Sequence, residues 1–327
     1  MRYLALCCAL ILAAPAQAAD AIKIASTHST SNAPILIAKQ RGFFAAEGLD
    51  AEIVFIESAG PITTGVVSGD LDFGATGLSG AFYNLAGQLK VIAGHIYEAP
   101  GFRGTTLVAS NRAWDAGLKS YKDLPGHSIA VTQIGTPLHY TIGLLAERYG
   151  FEMKSVRVLP MQSFPNAVAA AVGGSADAAM VSAVFVQKPL QAGEIKLIGY
   201  PGEEMPMQVG AVFVSTKTAN DRRDLVERFL KAFRRGTRAY HDAFTGPDGK
   251  LAFAPGSDEI IKLLAETNHQ PGEQIKESIA FVDADARVDV KDIRRQIAWY
   301  KSQGMVKAEV DPDSVIDQRY IIPLPPR

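Results

Sequence analysis

The residues of this chain that could do chemistry gather at the ends of short apolar runs. Ile22–Ala25 leads into Ser26-Thr27-His28-Ser29-Thr30-Ser31-Asn32, Glu52–Ile56 leads towards Ser58-Ala59-Gly60, and Leu71–Ala75 leads into Thr76-Gly77. Leu89–Ala93 precedes His95-Ile96-Tyr97, Ile129–Thr132 precedes Gln133-Ile134-Gly135-Thr136, and later come Met161-Gln162 and Val181-Ser182. These ends are rich in hydroxyl, amide and glycine groups and nearly free of charge. Pro34 and Pro137 follow two of the loops, and proline suits the first turn of a helix. Helix starts offer unpaired N–H groups and a partial positive charge. Hydroxyls and backbone N–H groups together would hold a small organic anion, a sulfonate or an aromatic carboxylate, without a dedicated arginine. The candidate ligand-binding residues are therefore Thr27, His28, Ser29, Asn32, Ser58, Gly60, Thr76, Gly77, Tyr97, Gln133, Gly135, Thr136 and Ser182. His28 could donate to an anion and Tyr97 could stack on a ring. Serine, threonine and asparagine at such places also serve as helix caps, which is their plainer reading. Arg103 could reach an anionic group; its plainer reading is an exposed surface arginine.

Catalytic and metal chemistry find little support. His95, His127, His139, His241 and His269 show no i, i+4 pairing, and the sequence has no HExxH motif or Cys/His cluster. Ser79 stands in Gly77-Leu78-Ser79-Gly80-Ala81, where Ala81 spoils the G-x-S-x-G pattern of a nucleophile elbow. No phosphate-cradling or dinucleotide glycine motif appears. The expectation is a binding protein with no catalytic residue, no metal and no cofactor. An enzyme with a triad assembled from distant residues, and a sensor that signals to a partner, are the alternatives. The net charge of −1 supplies no basic field for nucleic acid.

The spacing of the runs sets the architecture. Strands alternate with helical patterns, which implies βαβ units and parallel sheets covered on both faces. At 327 residues two domains are expected. The pattern repeats: Ile129-Ala130-Val131-Thr132 resembles Ile24-Ala25-Ser26-Thr27, and Gly174–Ala179 echoes Gly69–Gly74, with the same spacing from the strand to Asp72 and to Asp177. Thr105–Ser110 and Val209–Ser215 read as two crossings between the halves, where bending is expected. The predicted division is residues 19–105 and 212–327 for lobe one and 106–211 for lobe two. Asn220 is expected to cap a helix with the apolar stripe Leu225, Val226, Phe229, Leu230 and Phe233. Ile293, Ile297 and Tyr300 mark another helix. The basic residues from Arg222 to Arg238 read as a solvated face, with contact to a permease or lipid headgroups as the sharper reading. The proline-rich tail 321–327 is expected to lie extended on the surface.

The first 18 residues read as a signal peptide: Arg2, the apolar run Leu4–Ala14, and the small-x-small site Ala16-Gln17-Ala18. Both cysteines, Cys7 and Cys8, fall inside it, so the mature chain is expected to carry no disulfide or thiolate. A cleavable signal peptide implies export to the periplasm.

The segment Ala33–Leu49, with Ala38-Lys39, Gly42-Phe43-Phe44 and Glu47-Gly48-Leu49, resembles the opening helix of periplasmic solute-binding proteins of the nitrate/sulfonate/taurine ABC-importer family, which are also similar to thiamine-pyrimidine-binding proteins. Ser68–Gly74, Gly87–Ala93, Lys122–Val131 and Gly174–Ala179 extend the likeness in the family's order. The resemblance implies a two-lobed α/β fold of the type II periplasmic binding proteins. It further implies a monomer whose hinge closes on a small-molecule ligand, and delivery to an ABC permease and its ATPase. Ser182-Ala183-Val184 stands where many members carry a Glu-Pro pair. Besides an anion, a neutral heteroaromatic such as a thiamine-pyrimidine precursor is therefore an alternative ligand.

Overall fold

The structure, a computed structural model, describes residues 18–325. The signal-peptide segment thus lies outside the described residues except for Ala18. In chain order the strands are β1 (Asp20–Ser26), β2 (Leu49–Phe55), β3 (Phe73–Gly77), β4 (Leu89–Glu98), β5 (Thr105–Ser110), β6 (Ser128–Val131), β7 (Arg157–Pro160), β8 (Ala178–Ser182), β9 (Ile195–Gly199) and β10 (Met207–Ser215). They form two five-stranded sheets, β2-β1-β3-β10-β4 and β7-β6-β8-β5-β9. Each begins as a parallel βαβ arrangement and receives one antiparallel strand, β10 in the first and β5 in the second. β4 thereby corresponds to β9, and the two orders are equivalent position by position.

The repeat in the sequence has a physical basis. Asp72 Oδ2 accepts the Lys23 N–H at 2.9 Å, and Asp177 Oδ2 accepts the Ser128 N–H at 2.9 Å. Each carboxylate also pairs with an arginine, Asp72 with Arg222 at 3.0 Å and Asp177 with Arg112 at 2.8 Å. An aspartate in the turn before the third parallel strand of each half thus pins the backbone of the first parallel strand, at mid-strand Lys23 in one half and at the leading Ser128 in the other.

Sheet pairing refines the expected division. β10 belongs to the first sheet over its whole length and β5 to the second, so boundaries at 105/106 and 211/212 fall inside strands. The two strands read as bending crossings are buried ladder strands; the crossings proper are residues 99–104 and 200–206. β4 runs on to Glu98, which places His95 and Tyr97 within a strand rather than in a loop.

Helices cover both sheets. The helix Arg223–Phe244 lays Leu225, Val226, Phe229, Leu230 and Phe233 on the first sheet, with the Phe229 and Phe73 rings stacked at 3.8 Å between centroids. Asn220 does not cap it. Asn220 lies in the short helix Thr216–Asp221, whose cap is Ser215, and accepts from Arg319 at 2.9 Å. The basic face of the long helix is largely neutralised: Arg228 pairs with Asp20 and Asp224, Lys231 with Glu47 and Arg238 with Asp285, while Arg235 lies over the Phe43 ring. The tail lies over the surface at Ile322, Pro323 and Pro325, and it is tied down by the buried Ile321 and by the Leu324 N–H, which bonds the Val288 carbonyl; residues 326–327 lie outside the described residues. No helix among the described residues is long and apolar enough to cross a membrane.

The long helix approaches the helix Ala33–Gln40 closely at Gly236. A Cβ there would lie 2.1 Å from the Pro34 carbonyl oxygen, a backbone atom that cannot step aside. Gly236→Ala is therefore expected to destabilise the fold by roughly 1–3 kcal/mol through overpacking, despite alanine's better helix propensity. Urea unfolding checks it, and an unchanged or raised midpoint contradicts the close helix contact.

Candidate functional site

The carboxyl ends of the parallel strands in both sheets open into one cavity between the lobes, the place where open α/β sheets bind ligands. From the first lobe it is lined by Thr27, Ser29 and Ser31 after β1, Glu57, Ser58 and Ala59 after β2, Thr76 and Gly77 at the end of β3, and Ile96 and Glu98 on β4. The second lobe supplies Thr105 at the start of β5, Thr132 after β6, Pro137 and Leu138, Phe164, and Ser182 at the end of β8. Gly104 from the first crossing, Val209 and Ala280 complete the wall.

Two helix starts frame this space. Ser58 precedes the helix Ala59–Ser68 and Thr136 precedes the helix Pro137–Tyr149; neither side chain caps its helix. Their first-turn N–H groups are left for another acceptor. The loop after β1 is held from below. Ser26 Oγ sits 2.6 Å from Asn32 Oδ1 and 2.5 Å from the Ala75 carbonyl, and Asn32 Nδ2 donates to the Thr27 carbonyl. His95 Nε2 lies 2.9 Å from Asn32 Oδ1, and burial pushes its imidazole down to about 3, so the ring is a neutral donor in this network.

Of the sequence candidates, the structure brings Thr27, Ser29, Ser58, Thr76, Gly77 and Ser182 together in the cavity wall. Gly60 and Gln133 face each other across the cleft: a Cβ on Gly60 would lie 3.6 Å from Gln133 Oε1. Asn32 lies beneath the loop. His28 stacks on Phe55 at 4.5 Å, and Tyr97 meets Phe281 edge-on at 6.1 Å. Gly135 and Thr136 are at the lobe contact, where the Gly135 carbonyl accepts the Gly80 N–H at 2.8 Å. Arg103 is bound to Glu277 and faces Tyr200 of the second crossing. Ser79 is a helix cap, its Oγ accepting the Phe82 N–H at 3.1 Å.

Sequence reasoning missed Glu98 and Glu57. Glu57 is exposed at the mouth. Glu98 is 2% exposed, and burial pushes its carboxyl above the usual range, with Thr105's hydroxyl and N–H pulling part of the way back. Among the described residues, no lysine, arginine or histidine lines the cavity, and no group of His, Cys, Asp and Glu is arranged to hold a metal ion.

The lobes also touch beside the cavity. Tyr140, on the helix Pro137–Tyr149, donates to Asp292 Oδ1 at 3.2 Å, and Asp292 Oδ2 accepts from Gln208 N–H and Gln296 Nε2. Trp299 fills the space above Gly143, and Arg295 pairs with Glu147 at 2.8 Å. Burial pushes Asp292 from 3.8 up to about 6. The folded chain therefore holds this proton more tightly than the unfolded one. Asp292 favours folding below pH about 4, and that contribution is lost as pH rises to about 6, a change of about 3 kcal/mol. Asp292→Asn should remove this dependence. Unfolding free energies of the two proteins are expected to diverge between pH 4 and 6.5, the natural chain losing stability relative to the variant; parallel curves contradict the shift.

Comparison with known proteins places this geometry. The family described as NMT1/THI5 like matches residues 29–248. No curated protein matches the chain. Among solved structures, the alkanesulfonate-binding protein SsuA from Xanthomonas axonopodis pv. citri, bound to MOPS, is similar at 18% identity, covering 92% of this chain and 99% of that one, with a TM-score of 0.73. The periplasmic nitrate-binding protein NrtA from Synechocystis PCC 6803 is similar at 16% identity, covering 92% and 87%, with a TM-score of 0.71. The desulfurization enzyme DszB is similar at 14% identity over 93% and 96%, with a TM-score of 0.60. At these identities the likeness establishes the two-lobed periplasmic binding protein fold.

Proposed function

The chain belongs to the NMT1/THI5-like family, and on that premise we propose that it is the periplasmic solute-capturing component of an ABC importer. A ligand settles between the lobes and favours the closed state by its greater affinity for it. Residues 99–104 and 200–206 bend, and the closed protein delivers its load to a permease and ATPase. The observation that carries this reading is the cavity walled by strand ends from both sheets. Family membership and the binding-protein neighbours support capture over catalysis; DszB keeps an enzyme on this fold as the competing role.

Two ligand classes follow from the sequence, and the charged groups in the wall separate them. Hydroxyls, the two helix starts, and the names of SsuA and NrtA support an anion, and SsuA's an organic one. A helix start contributes roughly 0.3–1 kcal/mol towards an anion. An ionised carboxylate in the same wall opposes it, and a buried carboxyl kept neutral still gives an anion no cationic partner. With Glu98 and Glu57 in the wall and no cationic side chain among its described residues, the lining supports a ligand without net negative charge. A neutral heteroaromatic, with Phe164 as an apolar wall, is the better fit.

Calorimetric titration with alkanesulfonates, aromatic carboxylates and neutral nitrogen heterocycles tests the choice. Saturable binding at one heterocycle per chain is expected. Binding confined to the anions reverses the ligand class, and conversion of any ligand to a product replaces capture by catalysis.

A further inference from the structure

Glu98 is the last residue of β4, where the chain leaves the first lobe. Its carboxyl is fully enclosed, it lines the cavity, and its Oε1 has no hydrogen-bond partner. Thr105 is the donor beside it. The nearest cation in sequence, Arg103, is engaged with Glu277. An enclosed carboxyl without a counter-charge is destabilising unless a donor meets it. Here the enclosure is built in. A Cβ on Gly104, in the first crossing, would lie 2.7 Å from Oε1, and a Cβ on Gly202, in the second, 2.8 Å from Oε2. Neither glycine has a left-handed φ, so backbone conformation does not demand glycine at either place; room for the carboxyl does.

Resting on the neutral-ligand reading above, we propose that Glu98 is the specificity-determining acceptor of the cleft, its Oε1 receiving an N–H of the ligand, an exocyclic amine or ring N–H. The ligand then supplies the donor that the protein withholds. Because both crossings close around the same carboxyl, a bond to Oε1 is made at the hinge, where ligand contact and lobe position are set together. The hydroxyls of Thr27, Ser58 and Thr76 are left to the acceptor atoms of the ligand.

The probes are 4-aminopyrimidine, 4-methoxypyrimidine, which has the same ring without the donor, and MOPS. Each is titrated calorimetrically into the natural protein and into Glu98→Gln. The natural protein is expected to prefer the amine over the methoxy compound by roughly ten- to hundredfold, and Glu98→Gln to bring that ratio near one. The variant should melt no lower than the natural chain, since it removes an unpaired buried acid; the ratio also cancels any general loss of affinity. Equal binding of the two pyrimidines by the natural protein, or an unchanged ratio in the variant, overturns the role of Glu98 and leaves the neutral-ligand reading standing. Binding of MOPS alone, or of none of the three, overturns both.

Discussion

A carboxyl group enclosed where two chain crossings meet, with no cation beside it, is the constraint around which the cleft is arranged. Glu98 occupies space that Gly104 and Gly202 leave open, and Thr105 is its partial support. The crossings cannot take ordinary side chains at those points without displacing it. The same group decides the character of the cavity. The surrounding hydroxyls and helix starts would welcome negative charge, but the wall sets carboxyl groups beside them and no cationic side chain among its described residues. Specificity in such a site comes from a buried polar group that is satisfied by the right ligand and left unpaired by the wrong one.

The rest of the molecule aims this site. Each lobe is the same device: a parallel core, an aspartate pinning the first strand, and one antiparallel strand that arrives from across the gap. Because each sheet is completed by a strand lying next to a crossing, the carboxyl ends of both sheets are directed at one space. The Ser26–Asn32–His95 network then fixes the first loop with a neutral, fully buried imidazole, so its geometry is insensitive to pH in the physiological range. Tyr140 and Asp292 join the lobes on the neighbouring side, where a shared hydrogen bond links the second-lobe helix to the start of β10.

Much of the architecture was legible in the sequence because it is periodic. Apolar runs ending in serine, threonine and glycine located most strand ends, and the equal spacing to Asp72 and Asp177 reported a real structural equivalence. The family likeness carried the two-lobed fold. Legibility failed where identity depends on what another segment brings. Ser182 and Thr76, at the carboxyl ends of parallel strands, face the cavity, whereas Tyr97, near the end of the antiparallel-paired β4, turns its side chain to Phe281. Glu98, next in the chain, alternates to the other face and lines the cleft. A carboxylate residue closing a mainly apolar strand, with glycines at 101 and 104, was the signal available. Its meaning depended on Gly202, which only the second crossing brings near. Asn220 misled for a related reason: cap propensity is local, and Ser215 stood earlier at the end of β10.

The central claim is that ligand recognition happens between the two sheets and is read by Glu98. A crystal structure of the protein purified from the cells that make it, with whatever small molecule it retains, tests this directly. The account predicts density touching strand ends of both lobes, with a nitrogen of the ligand within hydrogen-bond distance of Glu98 Oε1. A molecule held outside the cleft, or an anionic group turned towards Glu98, would contradict it.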